Sequence, residues 1–451
     1  MKTPIADFVR AYADASPLRL HMPGHKGKAL LGPEALDLTE IDGADVLYRA
    51  RGIIRESEEN AAALFGTARS FYSTEGSSLC IRAMLYLARL RALSQGRPPR
   101  IAAGRNAHSV FLTAAALLDV DICWLSGEGL LSCAVTPETL EPVLRAQSPA
   151  AVYLTSPDYL GNCLDLAPLA SLCHRYGALL LVDNAHGAYL RFLPGERHPM
   201  ELGADLCCDS AHKTLPALTG AAYLHVSKDC PAELRETAEA ALRLFASTSP
   251  SYLLLQSLDL VNRELAGDFP ARLRETVKRL DALKAALSAE GWLLTGDEPL
   301  KLTLCPKARG YTGGALAARL AEKGIVCEFA DPDFLVLMFS PALEDTDLRR
   351  LREALEDLPP RAAIPDVPPP LPRARRRLRP REALLAPRET LPLDACLGRV
   401  LADPCVSCPP AVPILVCGEE ISREALALFR YYGCTALDVV REGQGDEVSK
   451  P

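Results

Sequence analysis

Between residues 100 and 226 the chain repeats one pattern: a short apolar run, then a longer stretch with apolar positions at helical spacing. The apolar runs at 101–103, 120–125, 151–155, 179–183, 204–208 and 221–225 predict strands, and the stretches at 137–146 and 166–176 predict helices. Strands that are apolar throughout must be covered on both faces. The pattern therefore predicts an α/β fold, a mostly parallel sheet between layers of helices. Ligands in such sheets bind beyond the carboxyl ends of the strands.

The flanks read differently. Residues 1–20 place Ile5, Phe8, Val9 and Tyr12 on one face of a short helix, and 56–65 and 79–92 also have helical spacing. Residues 253–287 form a long helical stretch with Gly267 and Pro270 as breaks. Apolar runs at 300–304, 325–329 and 334–339 predict the strands of a smaller α+β unit. Residues 359–380 are rich in proline and arginine and read as an extended linker. The expected division is an N-terminal arm (1–60), a large domain (61–270), a small α+β domain (271–360), the linker (361–380) and a C-terminal domain (381–451).

Composition narrows the class. With 451 residues, 49% hydrophobic and 24% charged, the chain can bury a large core. A net charge of −7 gives no reason to expect nucleic acid or an anionic membrane as partner, and the arginines at 373–379 have no aromatic residues among them. No apolar run reaches the roughly 18 residues of a membrane span, and residues 1–20 lack a signal-peptide core. The 15 cysteines fall mostly within apolar segments, which suits reduced, buried thiols in the cytoplasm. Cys405 and Cys408 make one C-x-x-C without a second pair, so no metal is expected.

The chemistry concentrates at strand ends. The run 179–183 closes on Asp183-Asn184-Ala185-His186-Gly187, and the run 204–208 leads into Asp209-Ser210-Ala211-His212-Lys213-Thr214. A lysine amine can form an imine with an aldehyde cofactor. A carboxylate one strand away can keep a pyridine nitrogen protonated, and the two together are what pyridoxal 5'-phosphate (PLP) needs. Gly76-Ser77-Ser78 steps into a helix and offers backbone N–H groups, hydroxyls and a dipole, either as a phosphate cradle or as an ordinary helix cap. Arg105-Asn106-Ala107-His108 follows another strand end. His21-Met22-Pro23-Gly24-His25-Lys26-Gly27 puts two imidazoles on a rigid turn, either lining a substrate entrance or bracing a subunit contact.

Together these segments resemble the Orn/Lys/Arg decarboxylase family in its short form. The residues that carry the likeness are the 21–27 turn, Arg105–His108, Asp183–Gly187, Ser210–Lys213, Ser247-Thr-Ser-Pro-Ser-Tyr252, Pro380–Pro387 and Cys408–Glu419. The resemblance implies a PLP-dependent transferase-like (aspartate aminotransferase-like) large domain with smaller α+β C-terminal domains. It implies PLP as cofactor and Lys213 as the residue joined to it as an aldimine. Asp183 would meet the pyridine nitrogen and His108 would stack on the ring. Gly76, Ser77, Ser78, Ser210 and His212 would hold the phosphate, with Ser247 reaching it from the neighbouring subunit. His186 would lie by the phenolic oxygen, either as a catalytic group or as a hydrogen-bonding brace. The implied reaction is decarboxylation of arginine, lysine or ornithine, as in polyamine biosynthesis, by a cytoplasmic homodimer with its site at the interface, or by a higher oligomer.

A cationic substrate needs an acid, and Asp45, Asp158 and Glu419, with His21 and His25, are the candidates. The chain departs from the family pattern at Val46, Tyr48, Asn184, Asp158 and Ser407–Pro413, positions expected to gather around the substrate. Two other readings stay open: an aminotransferase or α-oxoamine synthase of the same fold, and a PLP-binding relative without turnover.

Overall fold

The structure is a computed structural model that describes residues 1–125, 134–359, 361–404 and 413–442. Helices α1 (Pro4–Asp14) and α2 (Ile53–Phe65) lead into strand β1 (Arg69–Ser73). Helix and strand then alternate through α3 (Gly76–Ser94), β2 (Arg100–Gly104), α4 (Ser109–Leu117), β3 (Asp121–Leu125), α5 (Pro137–Gln147) and β4 (Ala151–Thr155). They continue through α6 (Leu166–Arg175), β5 (Leu179–Asp183), β6 (Leu206–Asp209), the single turn α7 (Ala211–Thr214) and β7 (Ala222–Val226).

These strands make one seven-stranded sheet in the order β1-β7-β6-β5-β4-β2-β3. β6, β5, β4, β2 and β3 run parallel, and β7 is antiparallel to both its neighbours. The side chains of β5 show why the pattern was continuous rather than alternating. Leu179 and Leu181 pack into one apolar cluster, while Leu180 and Val182 pack into a second on the other face. Both faces are dry, so every position is apolar until Asp183 reaches the strand end.

Helices α8 (Ala232–Phe245), α9 (Tyr252–Ala266) and α10 (Phe269–Ala289) follow. The expected break falls at Gly267, and Pro270 occupies the first turn of α10, where its missing N–H costs nothing. A four-stranded antiparallel sheet of order β10-β11-β9-β8 comes next. It is built from β8 (Leu294–Thr295), β9 (Lys301–Leu304), β10 (Phe329–Ala330) and β11 (Leu335–Met338), with α11 (Gly313–Glu322) between β9 and β10 and α12 (Asp345–Glu356) after β11. The strand expected at 325–329 shrinks to Phe329–Ala330, because only these residues find a partner in β11.

The C-terminal part contains α13 (Pro380–Leu385), β12 (Arg388–Pro392), α14 (Arg423–Tyr431) and β13 (Ala436–Val440), around its own apolar cluster. The arginine-rich stretch before it is extended, as expected, but it lies against the large domain. Arg376 pairs with Asp121 at 3.0 Å, Arg379 with Asp119 at 2.8 Å, and Arg381 donates to the Ala116 carbonyl at 2.8 Å.

Candidate active site

The carboxyl ends of β4, β5 and β6 open on a cavity of 530 Å³, within the range of about 300–1,000 Å³ usual for small-molecule sites. Its wall includes Gly76, Ser77, Ser78, His108, Asp183, His186, Ser210, His212 and Lys213. Nine of the ten residues assigned from sequence to cofactor or catalysis therefore meet in one place.

One end of the cavity is an anion cradle. Gly76, at φ +69°, turns the chain from β1 into α3 and donates its N–H to Gly220 O at 2.7 Å. No side chain caps α3, which leaves the Ser77 and Ser78 amides as donors for a ligand. The Ser210 hydroxyl donates to Ser77 Oγ at 2.9 Å and ties the turn after β6 to this helix start. His212 Nδ1 bonds the Ala221 carbonyl at 3.0 Å, which fixes its hydrogen on that nitrogen. The donor set suits a phosphate.

The Asp183 side chain is buried at the end of β5. It accepts from Tyr153 Oη at 3.0 Å and from the Ala185 N–H at 3.2 Å. His108 begins α4, and its Nδ1 accepts the Val110 N–H at 3.2 Å. Burial lowers the pKa of this ring. The nearby charge of Asp183 opposes that, and Lys213 adds to it, so acid and amine both lie close to His108. Lys213 Nζ lies 3.1 Å from His186 Nε2. A protonated Lys213 can only donate, which leaves the hydrogen of the neutral ring on Nδ1. That nitrogen is buried without a partner among the described residues. Gly187 is required beside it, since a Cβ there would stand 2.0 Å from Asn184 Oδ1.

A lysine amine, a buried carboxylate, the imidazoles of His108, His186 and His212, and a helix start without a side-chain cap share this cavity. The residues present fit PLP.

Behind the wall lies a closed polar net. Asp209 accepts from His198 Nε2 at 2.9 Å, His225 Nε2 at 3.1 Å and Asn184 Nδ2 at 2.6 Å. Burial pushes its carboxyl up, but the two imidazoles win and hold it well below the usual carboxylate range. His198, Cys207 and Asp209 come within metal-ligand reach of one another, yet their donors are already used within the net.

The other sequence candidates lie elsewhere in this chain. Asp45 accepts four backbone N–H groups within 3.1 Å, from Val46, Arg51, Gly52 and Ile54, and so caps α2. Asp158 accepts from Asn162 N and Nδ2 at 2.8 and 2.7 Å. Glu419 takes both arms of the Arg105 fork, at 2.6 and 3.0 Å. His21 bonds Tyr12 Oη at 2.6 Å and His25 bonds Asp37 at 3.2 Å. None of these five lines the cavity. Nor do Val46, Tyr48 and Asn184, so among the described departures from the family pattern Pro413 alone reaches the cavity. Ser247 also stands outside the wall, its N–H donated to Glu75 at 2.7 Å. Cys405, Cys408 and the 407–412 part of the C-terminal signature lie outside the described residues.

Glu75, Thr155 and Tyr159 line the cavity without having been assigned to it from sequence, and Pro413, the end of the 407–413 departure expected near the substrate, lines it too. The available signals were position alone: Glu75 directly precedes the Gly-Ser-Ser step, and Tyr159 follows Asp158.

Residues 3–304 match the family described as Orn/Lys/Arg decarboxylase, major domain. The chain is 28% identical over 487 aligned positions to an arginine decarboxylase of Bacillus subtilis (strain 168), covering 99% of this chain and 96% of that one. Among solved structures it resembles lysine decarboxylase A from Pseudomonas aeruginosa, with a TM-score of 0.78 at 19% identity over 97% of this chain and 80% of that one. It also resembles the constitutive lysine decarboxylase of E. coli, with a TM-score of 0.76 at 19% identity over 98% and 82%. At such identities the structural likeness is one of fold. The family match spans well over half the sequence and includes every residue of the cavity wall except Pro413, so the chain belongs to the Orn/Lys/Arg decarboxylase family.

Proposed function

We propose that this chain decarboxylates a basic amino acid (arginine, lysine or ornithine) to the amine, with Lys213 carrying the cofactor. The cofactor of the family is PLP, which when bound supplies an electron sink for the carbanion left as carbon dioxide departs. The observation that carries the reading is the meeting of Lys213, Asp183, His108 and the Ser77–Ser78 helix start around one cavity.

The chain's own groups divide the work. Asp183, held by Tyr153 and Ala185, presents a fixed negative charge to a protonated ring nitrogen. Ser77, Ser78, Ser210 and the α3 amides would hold the phosphate, with His212 beside them, and His108 would pack against the ring. The Lys213 amine, oriented by His186 from 3.1 Å, would hold the cofactor and would be the group that returns a proton to the substrate carbon. An amino-transferring enzyme needs an arginine for the α-carboxylate, and no arginine lines the cavity among the described residues of this chain. Asp45, Asp158 and Glu419 are each engaged in the chain's own structure. Recognition of the substrate's cation therefore falls to Glu75 or to a second subunit.

A homodimer fits this reading. Leu18, Leu20, Met22, Leu30 and Leu31, within and on either side of the His21–Gly27 turn, are 84%, 83%, 65%, 83% and 92% exposed, an apolar surface suited to a second copy. Twelve free cysteines among the described residues suit a reducing compartment, and we place the protein in the cytoplasm, in polyamine formation. No helix among the described residues is long and apolar enough to cross a membrane.

The test is carbon dioxide release from a panel of basic amino acids by the PLP-loaded protein. Release from one of them, abolished in Lys213→Ala, is the expected result. Amino transfer to an oxo acid would establish the second reading, and a bound cofactor without turnover on any amino acid would establish the third.

A further inference from the structure

Among the described residues lining the cavity, Pro413 is the single one contributed from beyond Gly220. It begins a tightly held segment. Ile414, Leu415, Val416 and Cys417 are 1%, 0%, 1% and 1% exposed, and Glu419 closes the turn by accepting the Val416 N–H at 2.9 Å. The Glu419 carboxylate, itself 3% exposed, takes both Nη atoms of Arg105 at 2.6 and 3.0 Å. Arg105 lies across the Trp124 ring, 5.1 Å from its centroid. It directly precedes Asn106, Ala107, His108 and Ser109, all four of which line the cavity.

We propose that Arg105 and Glu419 form a clasp that fixes the C-terminal wall of the active site and so sets which length of basic substrate it accepts. The proposal rests on the decarboxylase reading above. One end of the clasp is one residue from the cavity wall and the other is six residues from Pro413, so a single ion pair joins two walls from distant parts of the sequence. A two-pronged guanidinium–carboxylate pair fixes orientation as well as distance, which a lysine could not do. The Glu419 carboxylate is buried and the Arg105 guanidinium part-buried, so the pair is screened less than an exposed one. Arg105 and Glu419 are positioning residues: they place Pro413 and the His108 loop and touch neither substrate nor cofactor.

Two measurements on the full-length, PLP-loaded protein test this. The first is amide hydrogen exchange in Arg105→Met and Glu419→Gln, with Arg105→Lys as the milder variant. Exchange at Val416 should rise by about tenfold or more, while the sheet strands are unaffected; unchanged exchange at Val416 overturns the clasp. The second is the ratio of kcat/KM for arginine over ornithine in Pro413→Gly and Pro413→Trp, variants that leave the ion pair intact. The glycine variant should raise that ratio and the tryptophan variant lower it, each by about tenfold, the scale on which an added or lost methylene is discriminated. Arg105→Met should move the ratio in the same direction as Pro413→Gly. A ratio that stays constant across all three overturns the specificity role. Should the unaltered protein act on no basic amino acid, the decarboxylase reading fails, and the exchange measurement still judges the clasp on its own.

Discussion

Lys213 Nζ stands 3.1 Å from Nε2 of His186, a ring that burial first, and the charge of Lys301 next, keeps neutral well below the usual imidazole range. Lys301 acts on it through space, with Tyr159 packed against both. Its amine donates to the Asp158 and Tyr159 carbonyls at 2.8 and 3.3 Å, and the Tyr159 ring meets His186 edge-on at 5.4 Å. Lys301→Met should therefore raise the His186 pKa, as read by titration of labelled histidine. In the unaltered protein His186 should take no proton near its ordinary value of about 6.5. Unfolded His186 charges near 6.5 and the folded ring does so only at lower pH, so its contribution is whole above that value and is lost as acid drives the folded ring to protonate.

Asp183 holds its carboxylate through Tyr153 and Ala185 and lies near His108, which the Lys213 charge also reaches. Asp183→Asn preserves the shape and removes the charge. A charge pair at about 4 Å is worth about 4 kcal/mol at an effective dielectric near 20, or about 10³ in rate. The variant should keep its cofactor absorbance and lose turnover on that scale. Near-normal rates would refute the electronic role of Asp183.

Much of this was legible because each chemical group sits at the end of a strand buried on both faces. The runs at 151–155 and 179–183 coincide with β4 and β5, and Asp183, Ser210 and Lys213 fall at strand ends as the sheet requires. What stayed hidden was contact between distant segments. Glu419 reads as an acid in a promising motif, and only the fold shows that its charge is taken by Arg105, 314 residues away. Asp45 looks like a substrate ligand until the chain at 51–54 turns back to offer it N–H groups. Tyr153 looks like core because its ring is core, and its hydroxyl alone reaches Asp183. Strand β1 was missed since Arg69-Ser70-Phe71-Tyr72-Ser73 carries too much polarity for the apolar rule. Its serines are satisfied inside, Ser70 by His225 Nδ1 at 2.7 Å.

Glu58 gives a stability prediction away from the site. It is buried in α2, accepts the Tyr72 N–H at 3.0 Å through one oxygen, and has no partner for the other among the described residues. Burial raises its pKa to about 8. An unfolded glutamate ionises near 4.3 and the folded one near 8, so the folded state loses stability as pH climbs between them. Glu58→Gln keeps the bond to Tyr72 and removes this loss. It should be close to neutral at pH 5 and stabilising by about 2–4 kcal/mol at pH 8, measured by urea unfolding. Equal effects at both pH values would contradict the assignment.

Asn184 is one of the positions where the chain departs from the pattern it resembles, and the buried net explains the amide. Its Nδ2 donates to Asp209 Oδ1 at 2.6 Å, while His198 and His225 fill the other oxygen at 2.9 and 3.1 Å. The imidazoles keep Asp209 ionised although it is fully buried. A second carboxylate at 184 would face that charge where water cannot screen it. In Asn184→Glu the new carboxyl can stay neutral at low pH, so the cost should be small near pH 5. It should grow as pH rises, to about 3–5 kcal/mol, the scale of an uncompensated buried charge. Asn184→Gln, which adds the length without the charge, should lose stability independently of pH. Thermal unfolding of the two variants from pH 5 to 8 separates charge from size. A flat profile for the glutamate variant would show that Asp209 does not carry the charge assigned to it.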